Sequence, residues 1–366
     1  MQLSNRVLPK LVLPAVFFGY ALWVSGSFIV DASQYEKDLP LGVASVVDGQ
    51  FTAKLEDIYK DRLPYRAAST DLLGMVRYVI FGEGRKGVVV GKDGWLFSSE
   101  EYRAAGDELK SVAEAARAVA DVRDQLAKRG TELVVLPLPA KADIYREHTS
   151  YPSLSDEMEQ RYAAFRTALT AQDIKTVDAR TALLAAKSEG ELFLKGDTHW
   201  SPKGASVVAS ATAQAAGPVV SPVPFTLSED ETLPVEGDLT KFIVSPQYAS
   251  AVNLAPERVT RLRAAAEQPA DLTGSDLFSG PSIAIALVGT SYSANENWSF
   301  AASLMGAMGA DIVNYAEEGH GPFLPMRQYL DSDAAKDTPP KLVIWEIPVR
   351  YLTAPDALAA MTAQEE

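Results

Sequence analysis

Three short stretches constrain what this chain can fold into more than any others: residues 133–138, 283–288 and 342–347 are apolar almost from end to end. A run of that length without apolar/polar alternation reads as a strand covered on both faces, and such strands belong to parallel sheets with helices above and below. Helical apolar spacing at 109–129, 155–171, 181–187 and 297–308 fills the gaps, with further strands expected at 174–177, 192–195 and 311–316. Alternating strand and helix predicts an α/β fold built on a mainly parallel sheet. Residues 87–97 hold two β-rich runs around Lys92-Asp93-Gly94, which predicts a hairpin with Trp95 and Phe97 in the core. Residues 217–275 are rich in proline and read as an irregular insertion, with Gly237-Asp238-Leu239-Thr240 as one turn.

The N-terminus reads differently. Arg6 and Lys10 precede twenty nearly uncharged residues, 11–30, and a helix of that length spans about 30 Å, the thickness of a bilayer core. Basic residues ahead of the run keep 1–10 cytoplasmic and export the rest. The expected organisation is therefore a transmembrane signal-anchor at 11–30, a linker at 31–50, a catalytic domain at 51–352 and a tail at 353–366. A cleaved signal ending near Ser25-Gly26-Ser27 would export the chain equally.

Composition removes several functions. A net charge of −14 argues against a nucleic-acid binder. No cysteine is present, which rules out disulfides, thiol nucleophiles and cysteine metal sites, and the three histidines, His148, His199 and His320, form no closely spaced pair. Neither a metal nor a cofactor is expected. His148 and His320 read as packing or exposed residues, and Arg258, Arg261 and Arg263 as a solvated cluster.

What remains is hydroxyl chemistry. Gly196-Asp197-Thr198-His199-Trp200 places a carboxylate two residues from an imidazole, just ahead of a helix start in which Ser201 caps and Pro202 takes the first position. A carboxylate that orients a histidine is two thirds of a hydrolytic triad. Ser291, in Gly289-Thr290-Ser291-Tyr292-Ser293 after the strand at 283–288, is the candidate nucleophile. Ligands of open α/β sheets gather beyond the carboxyl ends of the strands, where the segments holding Asp197 and His199, Ser291, Gly319 and Gly321, and Glu346 and Arg350 are all expected. Oxyanion donors are sought among the amides of Ser291, Gly319 and Gly321 and the side chains of Asn295 and Asn297. Glu346 and Arg350 read as a buried pair stiffening the sheet end.

Four ordered motifs carry a resemblance: Gly-Lys-Asp-Gly-Trp-Leu-Phe at 91–97, Pro-Leu-Pro-Ala-Lys at 137–141, Gly-Asp-Thr-His-Trp at 196–200 and Gly-Thr-Ser-Tyr-Ser at 289–293. Together they resemble the AlgJ/AlgX-type periplasmic alginate O-acetyltransferases, over residues 45 to 352. The resemblance implies an SGNH-hydrolase-like three-layer fold and a triad of Asp197, His199 and Ser291. It further implies acetyl transfer to an acidic exopolysaccharide, a membrane-bound O-acyltransferase as acetyl supplier, and residence in the periplasm at the inner membrane. Arg350, Tyr292 and Trp200 are the candidates for substrate contacts. Ordinary SGNH hydrolases place the serine block first, so the order here resembles a circular permutation. Gly-Thr-Ser replaces their Gly-Asp-Ser, and residues 346–350 stand where an oxyanion asparagine is expected. The same residues also suit an acetylesterase or a non-catalytic scaffold subunit.

Overall fold

The computed structural model describes residues 8–30, 36–40, 42–62, 66–103, 107–218, 224–267, 285–354 and 358–362. The chain divides into two compact units, Met1–Leu73 and Gly74–Glu366. The first holds helix α1 (Leu8–Val30), which contains Pro14, and the helices Val43–Val47 and Gln50–Arg62. Among the described residues no helix is long and apolar enough to cross a membrane. Of the expected linker, 31–35 and 41 lie outside the described residues, as do 1–7, the helix break at 63–65, the ends of the tail, and 219–223 and 268–284 around the insertion.

In the second unit the helical turn Arg77–Phe81 is followed by a hairpin, β1 (Val88–Val90) and β2 (Leu96–Ser98), paired antiparallel. Then follow α2 (Glu108–Lys128), β3 (Glu132–Leu138), α3 (Pro152–Thr170), β4 (Lys175–Thr176), α4 (Ala179–Ala186) and α5 (Pro202–Ala216). The later half supplies β5 (Phe225–Val235), β6 (Glu257–Ala266), β7 (Ile285–Val288), α6 (Ser291–Ala294), α7 (Phe300–Met308), β8 (Ile312–Asn314), α8 (Phe323–Asp331) and β9 (Leu342–Pro348). Capping is local: Asp107 accepts the Lys110 amide to start α2, and Ser201 accepts the Gly204 amide to start α5, with Pro202 at the first helical position.

Five strands form one sheet in the order β4-β3-β9-β7-β8, every pair parallel. Alternate residues of these strands enter opposite cores. Val134, Leu136, Leu287 and Ile344 pack with Leu183, Val208 and Leu304 from α4, α5 and α7. Leu133, Val135, Val288, Val343 and Trp345 pack with Val119, Phe165 and Met326 from α2, α3 and α8. The result is helix, sheet and helix in three layers, which explains why the strands lack polar alternation. In the middle, β9 lies between β7 and β3, so a crevice opens past their carboxyl ends.

Two expectations are corrected. Residues 192–195 do not join the sheet. They fold back on 199–201, with one bridge between Phe193 and Trp200, and the Leu194 amide donates to the His199 carbonyl at 3.2 Å. The carbonyls of Leu194 and Lys195 accept hydrogen bonds from a buried ammonium, and that of Lys195 also accepts the Leu96 amide of β2 at 2.9 Å, so this backbone is engaged outside the five-stranded sheet. The described part of 217–275 is not irregular either: β5 and β6 pair antiparallel as a ribbon, with a register shift between Glu229 and Thr232. Its strands are mostly exposed and polar, so the alternation that reveals a half-buried strand is missing.

Candidate active site

Ser291 stands at the first turn after β7. Thr290 caps that turn, and its hydroxyl accepts the Tyr292 amide. Underneath lies Glu346 of β9, fully buried, which accepts the Thr290 amide at 2.8 Å, the Thr290 hydroxyl at 3.1 Å and the Ser293 hydroxyl at 3.1 Å. Burial pushes the Glu346 carboxyl up to about 7, against the opposing pull of those donors and of Arg350. A Cβ on Gly289 would come within 2.5 Å of the Glu346 carboxylate, so a glycine is needed for the turn to approach β9 this closely.

The partner segment arrives from the fold-back at 192–201. His199 Nε2 lies 2.7 Å from Ser291 Oγ, and His199 Nδ1 lies 2.6 Å from Asp197 Oδ1. The three predicted triad residues are thus joined in the order a hydroxyl nucleophile, its base and the base's orienting carboxylate require. Asp197 Oδ1 also accepts the His199 amide at 2.8 Å, and Oδ2 accepts the Asp238 amide at 2.8 Å. Burial alone would raise the Asp197 carboxyl, but the hydrogen bond and charge of His199, with the two amides, outweigh it and hold the group below its ordinary range. Trp298 stacks on the imidazole, with ring centres 5.0 Å apart and planes 17° apart.

The backbone of the Asp197 loop is held from two sides. Asp238 takes the Thr198 amide at 2.7 Å, and Glu257 takes the amides of Lys195 and Gly196 at 3.0 and 2.9 Å. Gly237 meets the Gly196 carbonyl so closely that a Cβ would fall 2.1 Å from it. The turn at 237–240 is therefore part of the site rather than a spacer. On the other side, the fully buried Lys141 ammonium donates to the carbonyls of Leu96, Leu194, Lys195 and Asp197 at 2.6–2.9 Å.

A cavity of about 840 Å³ opens over the triad, lined by Asp197, His199, Ser291, Asn295, Asn297, Trp298, Gly319 and Arg350 among others. Its wall also carries Lys86, Arg103 and Lys241 beside Glu100, Glu236 and Glu318. A smaller one of about 350 Å³, between α7 and β6, shares Asn295 with it and contains no triad residue. Of the oxyanion candidates, Ser291, Asn295, Asn297 and Gly319 face the larger cavity, whereas Gly321 does not. The Ser291 amide has no acceptor among the described residues, which leaves it free for an oxyanion. Gly319 and Gly321 have φ of +80° and +65°, and the turn requires them for that reason.

The substrate-contact candidates divide. Arg350 reaches the cavity, but Tyr292 and Trp200 are 2% and 0% exposed and sit behind the triad. Tyr292 donates to the Thr198 carbonyl at 2.8 Å and accepts from Arg350 at 3.1 Å. Glu346 and Arg350 are accordingly no hydrogen-bonded pair: one holds Thr290 and Ser293, the other Tyr292, so β9 and the turn after it both grip the nucleophile turn. His320 is exposed beside Glu317, and His148 stacks on Trp95, as expected of residues outside the chemistry. Arg261 differs from the solvated reading, since it pairs with Asp230 and Glu231.

Asp197, His199 and Asp238 bring one ligand atom each within 4.8 Å of one another. Both Asp197 oxygens and His199 Nδ1 are already engaged in the hydrogen bonds above, and Asp238 holds Thr198. A cation there would have to displace the bond that orients the base. Sequence reasoning missed Lys141, Trp298 and Asp238 as parts of the site, and it missed the hold of Glu346 on Thr290 and Ser293. For Lys141 and Asp238 a signal existed, in the 137–141 motif and the glycine-led turn at 237–240.

Comparison with known proteins supplies the family. A family model described as "SGNH hydrolase-like domain, acetyltransferase AlgX" matches residues 88–349. The probable alginate O-acetylase AlgJ of Pseudomonas syringae pv. tomato is 37% identical over 350 residues, covering 94% of this chain and 88% of that protein. Its namesake in Azotobacter vinelandii is 38% identical over 311 residues, covering 84% and 80%. The solved O-acetyltransferase domain of Pseudomonas putida AlgJ superposes with a TM-score of 0.64 at 36% identity, over 73% of this chain and 93% of that one. With a family model matching residues 88–349 and relatives this similar over most of its length, the chain belongs to the AlgX family of SGNH hydrolase-like acetyltransferase domains.

Proposed function

We propose that this chain transfers acetyl groups to hydroxyls of an acidic exopolysaccharide, the polymer being alginate as in the names of its AlgJ relatives. The carrying observation is the 2.7 Å contact of Ser291 Oγ with an imidazole fixed at 2.6 Å by Asp197, open to a large cavity. His199 Nε2 takes the serine proton as Oγ attacks the acetyl carbonyl carbon of an ester donor. The tetrahedral oxyanion is met by the Ser291 amide, and its collapse breaks the donor ester while His199 returns the proton to the leaving oxygen. In the second half His199 takes a proton from a sugar hydroxyl, which attacks the acyl carbon. The acetyl moves to the sugar, and Ser291 recovers its proton. On a chain of net charge −14, Lys86, Arg103, Lys241 and Arg350 are the cations available to a polyanion at this cavity.

The reaction belongs in the periplasm, to which the N-terminal segment directs the chain. The uncharged run 11–30 behind Arg6 and Lys10 supports that placement. A membrane-bound O-acyltransferase supplies the acetyl group, because the acetyl donor is made on the other side of the bilayer. The order of the motifs, Asp197 and His199 before Ser291, supports a circularly permuted SGNH arrangement.

The test is to incubate the full chain with an acetyl ester and uronate oligomers and to weigh the products. Transfer gives oligomers heavier by one acetyl each, hydrolysis gives free acetate alone, and a scaffold gives neither. Ser291→Ala should abolish transfer without changing the melting curve. Undiminished transfer by that variant would overturn the proposal.

A further inference from the structure

Lys141 lies outside the triad, and nothing in the proposed chemistry uses it. It is nonetheless the point at which three of the chain's four motifs meet. Its Nζ donates to Leu96 O at 2.7 Å in the hairpin, and to Leu194 O, Lys195 O and Asp197 O at 2.6, 2.9 and 2.8 Å in the loop that carries the orienting carboxylate. An ammonium has three hydrogens, so at least one is shared between two of these carbonyls. The rings of Trp95 and Phe97 lie 5.1 and 5.3 Å from Nζ and enclose it from the hairpin side. At the other end of the residue, the Lys141 and Ala142 amides donate to the buried Glu101 carboxylate at 3.2 and 2.9 Å. The lysine is thereby fixed both at its backbone and at its tip.

Three consecutive-loop carbonyls, those of 194, 195 and 197, point at one cation, while the amides of 195, 196 and 198 point outward to Glu257 and Asp238. Carbonyls directed inward and amides outward leave the loop one way to run, and on that path the Asp197 side chain meets His199 Nδ1. A neutral side chain at 141 would take a donor away from all four carbonyls, of which that of Lys195 keeps the Leu96 amide at 2.9 Å. The loop would turn them elsewhere and carry Asp197 away from the imidazole.

We infer that Lys141 is a positioning residue for acyl transfer: its buried ammonium holds the Asp197 loop in the one path that orients His199. The inference rests on the proposed triad.

The experiment uses the absence of cysteine from the chain. Lys141→Cys then carries a single thiol, which 2-bromoethylamine converts in denaturant to a thioether analogue of lysine. The wild-type chain taken through the same unfolding, reagent and refolding serves as control, with Lys141→Met as the uncharged variant. Active sites are titrated with a serine-directed fluorophosphonate, and turnover of p-nitrophenyl acetate is expressed per titrated site. A merely structural role changes the number of sites but leaves turnover per site alone. We expect kcat per site to fall 100-fold or more in Lys141→Met and in unalkylated Lys141→Cys, with KM moving less than 3-fold. Aminoethylation should restore at least a tenth of the control's kcat. If the uncharged variants do not fold and aminoethylation restores them, Lys141 serves stability alone and the inference falls. An aminoethylated chain that stays inactive or unfolded while the control recovers overturns it. Wild-type turnover per site in Lys141→Met overturns it equally. Retained turnover in Ser291→Ala would instead sink the triad beneath it.

Discussion

Thr290 donates both its amide and its hydroxyl hydrogen to the buried carboxylate of Glu346, at 2.8 and 3.1 Å. The same hydroxyl oxygen accepts the Tyr292 amide, so Glu346 acts on the first turn of α6 through a side chain adjacent to the nucleophile. The ionised form is the better acceptor for these donors, yet burial raises the group to about 7 from an ordinary 4.5. A carboxyl raised in the folded state binds more protons folded than unfolded, so stability falls as pH climbs from 4.5 through 7. The size is about 3 kcal/mol, from 2.5 pH units at 1.36 kcal/mol each. Glu346→Gln should flatten that slope, read from urea unfolding at pH 5 and pH 8. It should also slow kcat about 10-fold, the equivalent of roughly one hydrogen bond, because an amide nitrogen cannot accept the Thr290 proton. A variant with the wild-type pH slope would show that Glu346 is ionised throughout.

Asp197 predicts the opposite slope. Its carboxyl is held below the ordinary value of 3.8, so the stability it contributes is fully present above that pH and is lost as pH falls through its folded pKa. Asp197→Asn should remove this acid-side dependence. It should also lower kcat by about 10³–10⁴, because an amide favours the wrong imidazole tautomer. Stopped-flow acylation with an activated acetyl ester gives the rate, and KM should change little.

Trp298 is 3% exposed and lies flat against His199. Trp298→Ala should cost about 3–5 kcal/mol of stability, as for other buried aromatic truncations, and should lower kcat by loosening the imidazole. Trp298→Phe should keep most of both. Thermal melts with turnover per titrated site separate the two effects, and an alanine variant with wild-type turnover would remove the ring from the site.

Arg350 both holds Tyr292 and faces the cavity. Arg350→Lys, which lacks the planar fork, should raise KM for uronate oligomers about 10-fold or more while KM for a neutral acetyl ester stays within about 3-fold, given that one charge-assisted hydrogen bond is worth roughly 1.5–3 kcal/mol. Equal effects on both substrates would assign Arg350 to the turn alone.

Much of the fold was legible in local pattern. The apolar runs at β3, β7 and β9 announced a sheet covered on both faces, and α5 began where Ser201 and Pro202 indicated. The triad was legible as two fragments, because Asp197 and His199 are two residues apart and Ser291 follows a buried strand. The β5–β6 ribbon was not, since its exposed, charged strands bury too little for alternation to show. Nor were the roles of Glu346 and Arg350, which as close neighbours in sequence at the end of β9 and just past it look like a pair to each other but are each used by a different residue of the turn.

The sequence by itself determined the layers and the chemical types at the site, because burial pattern and residue identity are local properties. Only the tertiary structure decided which groups are neighbours. Residues 92 positions apart meet at 2.7 Å, and one ammonium from just past β3 gathers carbonyls from 96, 194, 195 and 197. Buried polar groups must all find partners at once, and that is a condition on the whole chain.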